Sequence, residues 1–135
     1  MRTFLDSGVL LTAWKGKDAA GALSVMEDAA RSFVTSYLVK LELLPKPLYQ
    51  KRKGEVEFYR AHWERVKAEE PLSAELGHEA FDLAKRYGLS AADALHIAAA
   101  IRLGAEQFIT SELPGKPLFR VKELAVVSLQ SLTAS

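Results

Sequence analysis

Four acidic side chains sit where the local sequence makes chemistry possible: Asp6, Glu42, Asp93 and Glu112. Asp6 follows the short run Arg2-Thr3-Phe4-Leu5, and Glu112 follows Gln107-Phe108-Ile109-Thr110. Both runs read as strands. Asp93 lies in the first turn of a helix opened by Ser90, and Glu42 lies six residues beyond the N-cap position Ser36. In a parallel α/β sheet, ligands bind outside the carboxyl ends of the strands, where the following helices begin. Helical side chains lean toward the N-terminus, so Glu42 can reach back to the same edge. Carboxylates that converge repel one another, and a hard divalent cation such as Mg²⁺ or Mn²⁺ relieves that repulsion. Such ions lower the pKa of a coordinated water and offset the charge that develops on a phosphate ester under attack.

Each acid also has a simpler use. Asp6 fits as the cap of the helix after Gly8, and Asp93 fits the Ser-x-x-Asp form of a capping box. Glu42 fits a solvated face and Glu112 a surface loop. His96, three residues from Asp93 on one helical face, reads as a structural or supporting group. His62 and His78 form no zinc-spaced set with it. Ser7 and Ser111 lack the Gly-x-Ser-x-Gly context of a serine hydrolase. An aspartyl-phosphate role for Asp6 would want a second Asp two residues on, where Gly8 stands.

The elements that must position these residues follow from periodicity and punctuation. Helices are predicted over Val9 to Trp14, Asp18 to Ala30, Tyr37 to Leu44, Ala74 to Tyr87, and from Ser90 to Leu103. Pro45 and Pro47 end or kink the third of these. Val56, Tyr59, Trp63 and Val66 make one apolar helical stripe. Gly88 and Gly104 stop their helices. Strands are predicted at Arg2 to Leu5, Ser32 to Thr35, Gln107 to Thr110 and Ala125 to Leu129, with a brief one at Leu72-Ser73. Strands separated by helices imply parallel pairing with right-handed crossovers. The fold class is therefore α/β, a central parallel β-sheet flanked by α-helices in a single domain over residues 1–135.

Composition narrows the class. The chain has 135 residues, 49% of them hydrophobic, a formal charge of +1 and no cysteine. Cysteine-ligated zinc, iron–sulfur clusters, disulfides and thiol nucleophiles are excluded together. The neutral balance hides segregation. Residues 46–67 hold seven Lys and Arg against three Glu, whereas residues 68–93 hold two basic residues against six acidic ones. A basic arm beside an acidic pocket suits a phosphodiester substrate. Tyr49, Phe58 and Tyr59 could stack on unpaired bases, although Tyr59 and Trp63 share the apolar stripe and fit packing as well. The opening stretch Met1 to Trp14 is broken by Asp6 and Ser7, and Ala94 to Ile101 is too short to span a bilayer. The expected location is the cytoplasm, with no membrane association.

These segments together resemble a PIN domain, the metal-dependent nuclease fold of VapBC-type toxins. The match is carried by Thr3-Phe4-Leu5-Asp6-Ser7-Gly8-Val9-Leu10, by Ser36 to Leu44 around Glu42, by Leu89-Ser90-Ala91-Ala92-Asp93-Ala94-Leu95-His96-Ile97-Ala98, and by Phe108-Ile109-Thr110-Ser111-Glu112. The resemblance implies that Asp6, Glu42 and Asp93 are the metal-binding and catalytic acids, with Glu112 a fourth ligand and Thr110 a site-orienting hydroxyl. Many family members carry Asp where this chain has Glu112, and Pro45 and Pro47 interrupt a region that related chains continue as helix. The implied activity is Mg²⁺- or Mn²⁺-dependent endoribonuclease chemistry on an RNA substrate, through metal-activated water. A cognate antitoxin partner and a homodimer are also implied. The alternative is a degenerate PIN domain that binds RNA or protein without cutting.

Overall fold

Strands and helices alternate along nearly the whole chain, and the computed structural model describes residues 1–133. The last two residues of the expected domain lie outside the described residues. The order is β1 (Arg2–Leu5), α1 (Ser7–Lys15), α2 (Ala19–Met26), β2 (Ser32–Ser36), α3 (Tyr37–Leu43), α4 (Pro45–Tyr49), α5 (Lys53–Arg65), β3 (Val66–Glu70), α6 (Ala74–Tyr87), α7 (Ala91–Arg102), β4 (Gln107–Thr110), a 3-10 turn (Pro117–Arg120), β5 (Ala125–Ser128) and α8 (Leu129–Thr133).

All five strands join one parallel sheet in the order β3-β2-β1-β4-β5. Strands β1, β2 and β4 occupy its middle. Their side chains are buried almost throughout, which explains the apolar centres Phe4-Leu5, Phe33-Val34 and Phe108-Ile109 and the small hydroxyl residues beside them. Phe4 of β1 stacks on Phe108 of β4 with ring centroids 5.3 Å apart. Successive strands run from β1 out to β3 on one side, and the chain then returns to β4 on the other. The order therefore reverses between β1 and β4, which is where an open α/β sheet forms its ligand crevice.

Edge strand β3 corrects the expected brief strand at Leu72-Ser73. The chain leaves α5 at Arg65, and Val66 adopts φ −73°, ψ 132° and pairs with Phe33. Val66 thus belongs to the sheet and not to the helical stripe. Lys67, Glu69 and Glu70 made this segment read as surface, although charged side chains suit an edge strand. The predicted helix at Asp18 to Ala30 is shorter, ending at Met26. The prolines act at a junction: α3 closes at Leu43, and Pro45 takes the first position of α4, where its missing N–H costs nothing.

Three serines cap helices, Ser36 and Ser90 where the sequence placed them and Ser73 ahead of α6. Ser36, Ser73 and Ser90 accept hydrogen bonds from the N–H groups of Val39, Leu76 and Asp93 at 3.3, 3.0 and 3.2 Å. Gly88 ends α6 in the left-handed region at φ +69°, its N–H on the Ala84 carbonyl at 2.8 Å. That turn reverses the chain and lays α7 against α6 and against β2. Small residues let α7 sit deep: Ala94, Ala98, Ala99 and Ala100 are all essentially buried, with Ile97 among them.

Candidate metal centre

The end of β1 and the end of β4 meet through two hydrogen bonds. The Asp6 N–H donates to the Ile109 carbonyl at 3.0 Å, and the Thr110 hydroxyl donates to Asp6 Oδ2 at 3.0 Å. Thr110 is completely buried, so its χ1 is fixed and its hydroxyl holds the carboxylate in one orientation. The same hydroxyl accepts the Glu112 N–H at 3.1 Å. Ser128 Oγ then donates to the Glu112 carbonyl at 2.9 Å, tying this loop to the end of β5.

Asp6 occupies the N-cap position of α1 but its side chain makes no capping hydrogen bond. The carboxylate faces the crevice, with a 3.4 Å contact from Ser7 Oγ at its other oxygen. Close approach matters at the next residue. A Cβ on Gly8 would lie 2.2 Å from Ser111 Oγ, so α1 can start against the β4 loop only with glycine there unless Ser111 moves.

Asp93 is brought to the same crevice by the first turn of α7. Burial pushes its carboxyl above the ordinary range, and the negative charges of Asp6 and Glu112 push it further. The Ser90 hydroxyl and His96 oppose that rise only in part. Three of the four sequence-identified acids therefore feel one another's fields, although they arrive from β1, α7 and the loop after β4.

Glu42 takes a different partner. Its Oε1 lies 2.8 Å from His96 Nε2, an ion-pair contact without the N–H alignment of a full hydrogen bond. Burial alone would push the Glu42 carboxyl up, but contact with His96, its charge and the Ser7 hydroxyl bring it below the ordinary value. For His96, burial works against protonation. Contact with Glu42 and the charges of Asp6, Glu42 and Asp93 outweigh it, and the imidazole pKa is raised. The acids around His96 thus favour its protonation, and its position one turn from Asp93 is where the sequence placed a structural or supporting group.

The donors suit a hard cation by type, since every candidate ligand is a carboxylate oxygen. Uncompensated repulsion on Asp93 is what such an ion would relieve. Among the described residues, however, no group of three or more acidic, histidine or cysteine side chains stands close enough to hold a metal ion as arranged. Glu42 is engaged with His96 at 2.8 Å. The donor set fits a divalent ion in chemistry, and its side chains would have to close inward to grasp one.

Residues that sequence reasoning did not place at the site lie beside it. Leu11, Lys15, Glu42, Leu43, Lys46, Pro47, Arg52, Glu55 and Tyr59 enclose a cavity of about 170 Å³, so Glu42 borders both regions. Tyr59 is entirely buried, and its hydroxyl donates to Glu55 Oε2 at 2.9 Å. Burial and the Glu55 carboxylate together raise the phenol pKa. That position suits packing and not base stacking. Tyr49, by contrast, is 88% exposed.

A parallel sheet whose strand order reverses between β1 and β4, flanked by helices, defines the class: an α/β domain. A family model described as PIN domain matches residues 3–112, and the chain belongs to that family. No curated protein matches the sequence. Among solved structures the chain is similar to VapBC2 from Rickettsia felis bound to a DNA fragment from their promoter, at 18% identity and a TM-score of 0.69, covering 95% of this chain and 98% of that one. It is likewise similar to a toxin–antitoxin complex from Klebsiella pneumoniae, at 18% identity and a TM-score of 0.68, covering 94% and 97%. The shared feature is the fold.

Proposed function

We propose that this chain is a Mg²⁺- or Mn²⁺-dependent endoribonuclease, and that Asp6, Glu42, Asp93 and Glu112 hold the ion. The observation that supports this reading is the placement of Asp6 at the end of β1, Glu112 just beyond β4 and Asp93 in the first turn of α7, around the β1–β4 switch point, where burial and then the charges of Asp6 and Glu112 raise the Asp93 carboxyl. A divalent cation bound there supplies Lewis-acid stabilisation of phosphate charge and a water of lowered pKa. The chain's own residues supply position. Thr110 fixes the Asp6 carboxylate, Ser90 fixes the first turn of α7, and His96 keeps Glu42 ionised at the rim. No side-chain nucleophile is required.

The family and the fold likeness support a toxin role with a cognate antitoxin as partner, and a homodimer as the working form belongs to the same proposal. A cytoplasmic location belongs to the same reading. No described helix is long and apolar enough to cross a membrane.

Calorimetric titration with Mn²⁺, alongside cleavage of an RNA panel, tests the proposal. Wild-type cleavage should need the cation and stop with chelator, with Asp6→Asn and with Asp93→Asn. Cleavage that survives all three refutes it. A second reading, an RNA- or protein-binding PIN domain without turnover, is favoured by the engagement of Glu42 with His96. RNA binding without cleavage at saturating Mn²⁺ would establish that alternative.

A further inference from the structure

The cavity beside Glu42 is lined by more cations than its position requires. Lys15 comes from the last turn of α1, Lys46 from α4, and Arg52 from the N-cap position of α5. Glu55 is the only other acid on its wall besides Glu42. Glu55 is 5% exposed and already committed, accepting from Tyr59 and pairing with Arg52 Nη1 at 3.4 Å. Its charge is spent inside the wall, where it holds the root of α5 and one edge of the Arg52 guanidinium. Both lysines remain exposed, and neither has a carboxylate partner among the described residues.

Backbone geometry points the same way. Lys51 is the single non-glycine residue with positive φ among the described residues, at +57°. Left-handed backbone at a lysine costs about 1 kcal/mol, and such outliers collect at functional sites. Here it turns the chain from α4 into α5, and the Arg52 N–H then bonds the Pro47 carbonyl at 2.8 Å. Arg52 and Pro47 also line a second cavity of about 290 Å³ with Lys51, Lys53 and Arg60. The two cavities share Pro47 and Arg52 in their walls, so their basic residues make a track from beside Glu42 over α4 and α5, with Glu57 the one acid lining the second.

We propose that Lys15, Lys46 and Arg52 form a phosphate subsite that grips the RNA backbone next to the scissile phosphodiester, with the track through Lys51, Lys53 and Arg60 guiding the strand onward. This inference rests on the nuclease reading for its substrate. Its placement follows from charge: a polyanion held at an acidic metal pocket needs cations on the flank, and the cavity on the Glu42 side of the site carries three of them. Arg52 presents its free guanidinium edge as a fork, and the lysines act as point charges.

The test is binding of a labelled short single-stranded RNA in chelator, where no cleavage occurs, over a series of salt concentrations. Lys15→Gln and Lys46→Gln are exposed changes that should keep the circular dichroism spectrum and melting temperature of the wild type. Each should weaken binding about 5-fold at 0.1 M salt and flatten the log–log salt slope by about 0.7. Lys122→Gln, the same charge change on the far loop, should leave both unchanged. Arg52 is varied only to Lys, since its removal would strand Glu55; Arg52→Lys should retain the slope and lose affinity. With Mn²⁺, the lysine variants should raise KM more than they lower kcat.

Wild-type affinity and slope in the Lys15→Gln, Lys46→Gln double variant overturn the subsite, as does an unmodified chain that fails to bind RNA. Loss of affinity for an acidic peptide with RNA affinity intact overturns it too, and assigns the cleft to a protein. Cleavage by a chain whose lysine variants bind normally removes the subsite alone. Lysine-dependent binding without cleavage removes the nuclease reading alone.

Discussion

Thr110 Oγ donates to Asp6 Oδ2 at 3.0 Å across the two strands between which the sheet order reverses. This single contact joins the central strand to its later-formed neighbour and also fixes the carboxylate at the mouth of the crevice. Thr110→Val keeps the shape and removes the hydroxyl, leaving Asp6 Oδ2 and the Glu112 N–H without this partner. A hydrogen bond to a charged group is worth about 2 kcal/mol, so catalysis should fall about 30-fold. Steady-state cleavage should show that loss, with Thr110→Ser restoring most of it. Equal activity in Thr110→Val would mean that Asp6 needs no such support.

Asp93 should carry a cost to stability that the cation removes. Its folded-state pKa is raised by burial, Asp6 and Glu112, so the unfolded chain releases the proton first. Stability is then full below the unfolded value and is lost as pH rises through the folded one, leaving a penalty at neutral pH. Asp93→Asn should therefore melt higher than wild type without divalent ions while cleaving nothing. For a chain this size each 1 kcal/mol regained is a rise of about 4 °C. Thermal melts at pH 7 with chelator check this, and a lower melting temperature in the variant contradicts it.

His62 should set the acid limit of the fold. It is 2% exposed, neither ring nitrogen has a hydrogen-bond partner among the described residues, and its ring meets Phe33 and Trp63 edge-on. Burial lowers its pKa from 6.5 to about 4, assisted by the charge of Arg65. Below the unfolded value the denatured chain takes a proton that the native one refuses, so stability declines from about pH 6.5 down to about pH 4. The full effect is about 3 kcal/mol. Urea titrations at several pH values should show this slope in wild type and a shallower one in His62→Phe.

Gly8→Ala tests the contact between α1 and the β4 loop. The new methyl meets Ser111 Oγ at 2.2 Å and Ser111 Cβ at 3.3 Å, so the serine must rotate or the helix must shift. A loss of about 1–2 kcal/mol is expected, of the size that overpacking gives. Ser111→Gly on top of it should recover most of the loss. Additive effects in that double-mutant cycle would show that the clash is relieved elsewhere.

What the sequence made legible were features with local causes. Strands β1, β2 and β4 announced themselves because the middle of a parallel sheet is buried on both faces. The serine caps and Gly88 did so because helix ends need particular side chains and particular φ. Strand β3 stayed hidden: its place at the sheet edge lets Lys67, Glu69 and Glu70 stand in a strand that composition reads as loop. At the site, Asp6, Asp93 and Glu112 could be placed by strand ends and the first turn of a helix. The attachment of Glu42 to His96 could not, because it depends on how closely α3 approaches α7. Lys15 was equally invisible, since nothing local to the end of α1 says that α4 and α5 will close around it.

The hydrogen bond between Thr110 and Asp6 joins residues separated by 104 positions, in a chain of 135. The pocket is therefore complete only once the chain has been made through Glu112. A chain still emerging from the ribosome has β1 exposed, with its inner partner β4 not yet made, and lacks both Thr110 and Glu112. Contacts of such long range are slow to form and leave apolar strand edges open while they wait. If the protein cuts RNA, chain order alone keeps its site incomplete on the ribosome until Thr110 and Glu112 have been made.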